Sequence, residues 1–237
     1  MAAPVRRLRV ATYNVHSCVG RDGRNDPERI ASVIRELDAD VVALQEFTYP
    51  ASVAIETRQP VVLTMLDRYE CALGPARHNH EICFGNALLT RHPIADVRRI
   101  DISREHREKR GALAATLDID ERSVHVLATH LGLRVGERRF QVRQILDDLE
   151  SVKHSLSIVM GDFNDWLPGR SVVHVLDEKF GRPPTPASFP VVWPIRSLDR
   201  IWVHPISALE RVYVHKSAAA RVASDHLPVV ADVVLPN

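Results

Sequence analysis

Leu8-Arg9-Val10-Ala11-Thr12-Tyr13-Asn14, then Asp26-Pro27, then Val41-Val42-Ala43-Leu44-Gln45-Glu46 spell a strand, a helix start and a second strand. The first segment alternates weakly and ends in Asn14, before a loop from Gly20 to Asn25. Asp26 is an N-cap residue and Pro27 suits the first helical position. Ile30, Val33, Ile34 and Leu37 then fall at i, i+3, i+4 and i+7, one apolar helical stripe. Val41 to Leu44 reads as a short buried strand that ends in Gln45-Glu46. Working outward, the same plan recurs. Val124 to Thr129 is a strand ending in His130, and Val142, Ile145, Leu146 and Leu149 repeat the helical stripe. Ser157 to Met160 is a strand ending in Gly161-Asp162-Phe163-Asn164. Parallel strands joined by a crossover helix end on the same edge of a sheet, where open α/β folds bind ligands. The two units therefore project Asn14, Glu46, His130, Asp162 and Asn164 from matching ends.

Further strands are expected at Tyr69–Leu73, Phe84–Thr90, Ala95–Ile100, Ala112–Asp118, Leu198–Val203, Leu209–Val214 and from Pro228 to Leu235. Pro183 to Pro194 reads as an ordered surface loop. No linker is long enough to divide the chain, so one domain over residues 1–237 is expected. The 237 residues, 45% hydrophobic and 26% charged, exclude collagen-like, coiled-coil and wholly disordered architectures. With 31 Lys+Arg against 30 Asp+Glu, the net charge of +1 gives no general attraction to nucleic acid. Cys18, Cys71 and Cys83 have neither the number nor the spacing of a disulfide framework or a cysteine zinc site. No membrane helix or signal peptide is expected, and the default compartment is the cytoplasm.

Several short segments carry chemistry. Asp162 and Asn164 lie two residues apart past a buried strand, where a carboxylate can orient water and a carboxamide can bond an anionic oxygen; the plainer reading is an Asx-turn. Asp225-His226 sets an acid beside an imidazole, as acid–base chemistry requires. Glu46 at a sheet mouth calls for a cation, either Mg2+ or an arginine partner. His78-Asn79-His80 matches a three-letter nuclease motif and carries little weight.

In order along the chain stand Thr12-Tyr13-Asn14-Val15-His16, Leu44-Gln45-Glu46, Gly85-Asn86-Ala87-Leu88-Leu89, Arg110-Gly111-Ala112, Thr129-His130-Leu131, Gly161-Asp162-Phe163-Asn164, Leu198-Asp199-Arg200-Ile201 and Ser224-Asp225-His226. This ordered set resembles the endonuclease/exonuclease/phosphatase superfamily, from Arg9 to Val234. The resemblance implies a four-layer α/β/β/α sandwich of two packed mixed β-sheets, each half of the chain supplying one sheet. It implies Mg2+- or Mn2+-dependent hydrolysis of a phosphoester by in-line attack of water. Carried over by motif, Glu46 is the principal metal ligand, with Asn14 and Asp225 close to the ion. Asp162 orients or deprotonates the water and Asn164 holds a phosphate oxygen. His226 and His130 flank the phosphate, Asp199 orients His130, and Arg110 and Asn86 contact the substrate. His16 stands where abasic-site endonucleases usually carry an acid, and they lack the histidine at His130. The set is thus more similar to the deoxyribonuclease, sphingomyelinase and inositol-phosphatase branches.

The expected partner is a phosphoester substrate, with nucleic acid, a lipid headgroup and a small phosphorylated metabolite all open, and no stable membrane insertion. A nuclease would draw on Arg104, Arg107, Lys109 and Arg110, or on Arg134, Arg138 and Arg139, although the last two also read as solvated helix residues. Trp166, Phe189 and Trp193 could line a pocket for an apolar substrate. The alternative from another class is a non-catalytic binding module, which decay of the site would mark; here the motif set is intact.

Overall fold

The computed structural model describes residues 6–51, 61–78, 81–151, 154–166 and 171–235. Its strands are β1 (Arg7–Asn14), β2 (Val41–Pro50), β3 (Glu70–His78), β4 (Ile82–Thr90), β5 (Ile94–Asp101), β6 (Gly111–Ile119), β7 (Arg122–His130), β8 (Leu156–Asp162), β9 (Asp199–His204), β10 (Leu209–Val214) and β11 (Val229–Val234). The helices are α1 (Pro27–Leu37), α2 (Val61–Thr64), α3 (Val135–Ser151), α4 (His174–Phe180) and α5 (Ala220–Ala223). One sheet has the order β10-β11-β1-β2-β4-β3 and the other β5-β6-β7-β8-β9. The pairs β1–β2 and β7–β8 are parallel and the remaining pairs antiparallel, so both sheets are mixed. The two parallel pairs are the two strand–helix–strand units, crossed by α1 and α3. Register brings Asn14 opposite Gln45 and His130 opposite Asp162, so the polar strand ends align.

Three apolar clusters define the layers. Val10, Val41 and Ala43 of one sheet meet Val126, Ala128, Ile158 and Met160 of the other. Their neighbours Ala11, Val42 and Leu44 point the opposite way, onto Ile30, Val33, Ile34 and Leu37 of α1. On the far side Leu127, Val159 and Trp202 pack against Val142, Ile145 and Leu149 of α3 and Leu176 and Phe180 of α4. Alternation along strands buried on both faces generates all three interfaces, giving the α/β/β/α sandwich. Asp26 caps α1 by accepting from Arg29 N at 3.0 Å, as its place before Pro27 requires. Among the described residues no helix is long and apolar enough to cross a membrane.

Two expectations need correction. The sheets are not one per half, because β10 and β11 return to the first sheet, where β11 pairs with β1 from Arg7↔Val234 to Thr12↔Val229. Nor does β2 stop at Glu46. It runs on to Pro50 through a bulge, in which Gln45 and Glu46 together oppose Asn86 of β4. Glu46 has φ +52°, a left-handed conformation that turns one residue out of the ladder.

The outer face of β7 also carries a histidine with a consequence for stability. His125 is 1% exposed, its Nδ1 has no hydrogen-bond partner, and its ring stacks on His154 with centroids 5.3 Å apart. Burial first, then His154 and Arg98, push it down to about 4. Below the ordinary value of 6.5 the unfolded chain takes up a proton that the native ring refuses, so stability falls as pH drops from 6.5 towards 4. Urea unfolding of the metal-free protein at pH 7 and pH 5 is expected to show about 2 kcal/mol more acid loss in wild type than in His125→Gln. Parallel profiles for the two proteins would remove His125 as the cause.

Candidate active site

The aligned strand ends open into a cleft of about 490 Å³ whose lining includes Glu46, Arg110, His130, Asp162, Asn164, Asp225 and His226. Backbone geometry explains how they converge. Gly161 has φ +153°, and a Cβ there would lie 1.9 Å from the Thr129 carbonyl oxygen, so only glycine lets β8 approach β7 this closely. Asn164 has φ +51°, a region that asparagine tolerates better than most residues. Its own N–H donates to Asp162 Oδ1 at 2.9 Å, the Asx-turn expected of this segment. That turn and a place in the cleft coexist.

Asn14 joins the two sheets. Its Nδ2 donates to Glu46 Oε1 at 3.1 Å and to Asp162 Oδ2 at 3.0 Å, while its Oδ1 accepts from His16 N. The Ser224 hydroxyl donates to the Asn14 carbonyl at 2.8 Å and so ties the segment holding Asp225 and His226 to the end of β1. Asp162 Oδ2 also stands 3.6 Å from His130 Nε2 and 3.8 Å from His226 Nε2. One carboxylate oxygen is thus the point on which both histidines close.

Asp199 corrects the sequence reading. Its Oδ2 lies 2.8 Å from Nδ1 of His226, not beside His130, and it also accepts from the Ser188 hydroxyl at 2.5 Å. Pairing cannot be read from proximity in sequence to a strand end: Ser188 of the proline-rich loop holds both partners, its hydroxyl on Asp199 and its carbonyl on the N–H of Leu227, next to His226. Burial opposes charge on His226, but Asp199, Asp162 and Asp225 outweigh it and push the imidazole up to about 10. His130 moves the other way. Burial drives it down to about 3, with Arg110 adding to the effect against the pull of Asp162. Arg110 Nη1 lies 3.0 Å from His130 Nδ1, and a guanidinium can only donate, so Nδ1 accepts and the neutral ring carries its proton on Nε2. Asn164 Nδ2 sits 3.1 Å from that Nε2 while donating to the Leu131 carbonyl at 2.9 Å.

Ligand atoms of Asp162, Asp199 and His226 lie within 4.8 Å of one another, a spacing that could hold a metal ion. In this structure His226 Nδ1 is bonded directly to Asp199 Oδ2 at 2.8 Å, so these two groups satisfy each other. Glu46 and Asp225 line the same cleft, and their carboxylate oxygens are the ligand type a hard divalent cation takes, although among the described residues they do not form a set as close as that of Asp162, Asp199 and His226. Among the described residues no Lys or Arg lies within 4.0 Å of the carboxylates of Glu46, Asp162 or Asp225, and the Glu46 carboxylate has only Asn14 Nδ2 as a hydrogen-bond partner. The arginine partner that Glu46 might have had is absent among the described residues, and the donor set fits a divalent ion.

Other expected residues are placed differently. Asn86 is 1% exposed and donates to the Gly111 carbonyl at 2.8 Å, stapling the first sheet beside Arg110 instead of facing the cleft. Arg110 is itself buried and bonded to His130 and Glu108, which limits its reach to a substrate. Arg138 is neither solvated nor available: it is buried against Asp165, Nη2 to Oδ1 3.2 Å. Arg104, Arg107, Lys109, Arg134 and Arg139 do not line the cleft. Trp166 and Phe189 do line it, whereas Trp193 is 74% exposed and does not. Asn79 and His80 lie outside the described residues. Sequence reasoning missed Ser188, Arg77, Glu108 and Arg196; none stands in a patterned segment, and only Asp165, directly after the Gly161–Asn164 motif, carried a positional signal.

The chain matches the Endonuclease/Exonuclease/phosphatase family over residues 11–226. It is 30% identical over 253 residues to the uncharacterized protein YbhP of Escherichia coli (strain K12), covering 96% of each chain. Its fold is similar to that of an endonuclease/exonuclease/phosphatase from Beutenbergia cavernae DSM 12333, with 26% identity and a TM-score of 0.76 over 98% of this chain and 72% of that one. D. rerio TDP2 complexed with single strand DNA product shares the fold at 18% identity, with a TM-score of 0.68 over 95% of this chain and 98% of the other.

Proposed function

Because the chain belongs to the endonuclease/exonuclease/phosphatase family, whose members are in general phosphodiesterase- and nuclease-like hydrolases using a divalent metal, we propose that it hydrolyses a phosphodiester in a Mg2+- or Mn2+-dependent reaction. The observation that carries this reading is the convergence of Glu46, Asp162, Asn164, His130 and His226 on one cleft, with Asn14 bonded beneath it to both Glu46 and Asp162. Glu46 would hold the ion, with Asp225 and Asn14 beside it. When bound, the ion supplies positive charge to the phosphate oxygens and to the leaving oxygen.

The proton roles follow by elimination. Asp199, Asp162 and Asp225 favour the protonated form of His226, which suits an acid better than a base. The Nδ1 lone pair of His130 is occupied by Arg110. Asp162 is left as the group that takes the proton from the attacking water. The water oxygen bonds to phosphorus as the bond to the leaving oxygen breaks, and His226, held by Asp199, gives its Nε2 proton to that oxygen. His130 Nε2–H and Asn164 Nδ2–H meet as two donors with no acceptor between them, a conflict that a shared anionic oxygen relieves. Asp199 is a positioning residue here. The three free cysteines suit a reducing, cytoplasmic setting.

A panel of bis-p-nitrophenyl phosphate, plasmid DNA, abasic duplex, sphingomyelin and inositol phosphates in Mg2+ or Mn2+ tests the proposal. Metal-dependent turnover of at least one phosphodiester is expected. Calorimetric titration of Mg2+ into wild type and Glu46→Ala should show binding that the variant loses. Equal binding by both proteins would remove Glu46 from the metal site.

A further inference from the structure

Trp166 stands between two recesses. One is the catalytic cleft; the other, of about 440 Å³, is lined by Asp165, Asp177, Arg182, Arg196 and Arg200 among others. Trp166 and Arg196 line both, and the Arg196 guanidinium lies 4.0 Å over the indole ring. The two recesses therefore meet along this stacked pair.

The second recess is cationic in effect. The Asp165 carboxylate is spent on Arg138, on the Ser171 hydroxyl and on the Val172 N–H, and Asp177 accepts the indole N–H of Trp202 at 2.8 Å. In contrast, Arg182, Arg196 and Arg200 have no carboxylate within 4.0 Å among the described residues. Arg200 gives its N–H groups only to neutral carbonyls, to Ser197 O at 3.2 Å and Asp165 O at 2.6 Å. Burial works against its charge, Asp165 and Asp177 support it from a distance, and Arg182 opposes it again. Three guanidinium groups thus face one recess, none of them ion-paired among the described residues. Such an arrangement is stabilised by an incoming anion, and guanidinium matches phosphate in geometry and charge.

We propose that the recess beyond Trp166 binds a second phosphate of the substrate, held by Arg182, Arg196 and Arg200 while the first lies in the catalytic cleft. The inference rests on the phosphodiesterase reading of that cleft, and it narrows the substrate to molecules with at least two phosphates. A short single strand of nucleotides meets the requirement and adds bases that can stack on the rim of the cleft. A small molecule carrying several phosphates meets it without bases.

Binding in chelator, with hydrolysis suppressed, separates the possibilities, read by tryptophan fluorescence on the full chain. The probes are the thymidine dinucleotides pTpT and TpT, and inositol 1,4-bisphosphate and inositol 1-phosphate. In at least one pair the extra phosphate is expected to tighten binding to wild type by about tenfold or more, the scale of one charge-assisted contact. The pair that shows it identifies the source. Arg182→Ala/Arg196→Ala, both on the protein surface, should lose the gain, and Glu46→Gln should keep it. No gain in either pair, or a gain that survives the double substitution, overturns the proposal. Bis-p-nitrophenyl phosphate, with its single phosphate, tests the cleft alone: if no metal-dependent turnover of it is seen while the extra-phosphate gain persists, the cleft reading fails and the recess stands.

Discussion

Asp162→Asn is expected to lower kcat by ~10²-fold or more on the best phosphodiester substrate, with KM changed far less. Asp162 Oδ1 is taken by the Asn164 N–H and Oδ2 by Asn14 Nδ2, so an amide at this position must turn its NH2 towards one of two existing donors. On the proposed mechanism it also removes the base, and with it one of the carboxylates that raise the pKa of His226. These contacts act on the transition state, and the loss should therefore fall on kcat. His226→Ala should fall by a comparable factor, because Asp199 would be left without the cation it orients. Circular dichroism and a melting curve establish that each variant folds. A folded Asp162→Asn protein with near-wild-type turnover contradicts the proposed role.

The second large effect is on stability. Arg138 and Asp165 form an ion pair with side chains 1% and 0% exposed, between the first turns of α3 and the loop that follows β8. Arg138 also donates to the Leu133 carbonyl at 2.6 Å, and Asp165 accepts from Ser171 and Val172. Asp165→Ala strands a buried guanidinium and frees three donors, the Ser171 hydroxyl and the Val172 and Val173 N–H groups, and should cost about 3–5 kcal/mol, the range for breaking one side of a buried pair. That is a large share of the ~5–15 kcal/mol typical of a folded domain. Removing both charges, as Arg138→Met/Asp165→Ala, should cost less than Asp165→Ala alone, since no uncompensated charge remains. Urea unfolding measures both. A single substitution costing under about 1 kcal/mol would show that the pair is not what anchors this loop.

Both strand–helix–strand units were legible because periodicity is a local signal. Ile30, Val33, Ile34 and Leu37 needed no tertiary information to be recognised as the buried stripe of α1, and the strand-end positions of Asn14, His130 and Asp162 followed from it. Partnerships between distant segments were not legible. That Asp199 bonds His226 and not His130 depends on Ser188 and the proline-rich loop, where no period operates. The bulge at Gln45 and Glu46 was hidden for another reason: Glu46 and the run His16, Ser17 and Cys18 all have positive φ without a glycine to mark them. Strain of this kind is imposed by the surrounding fold and leaves no trace in composition. The helix α3 misled in its first turns, because Glu137, Arg138 and Gln141 are buried there as a polar cluster that a hydrophobic stripe cannot register.

The pairing of β11 with β1 has a consequence for how the protein is made. β1 is made well before β11, so one of its two edges lacks a partner until β11 follows, and synthesis of the intervening chain takes about ten seconds or more at about 5–20 residues per second. Through that interval β1 offers an open edge to any other extended segment, the situation in which nascent chains need a chaperone. Asp225 and His226 arrive just ahead of β11, so completion of the candidate site and closure of the sheet come together. A chain made only as far as Asp162 carries Glu46, His130 and Asp162 but neither Asp225 nor His226, so the candidate site stays incomplete until the sheet is about to close.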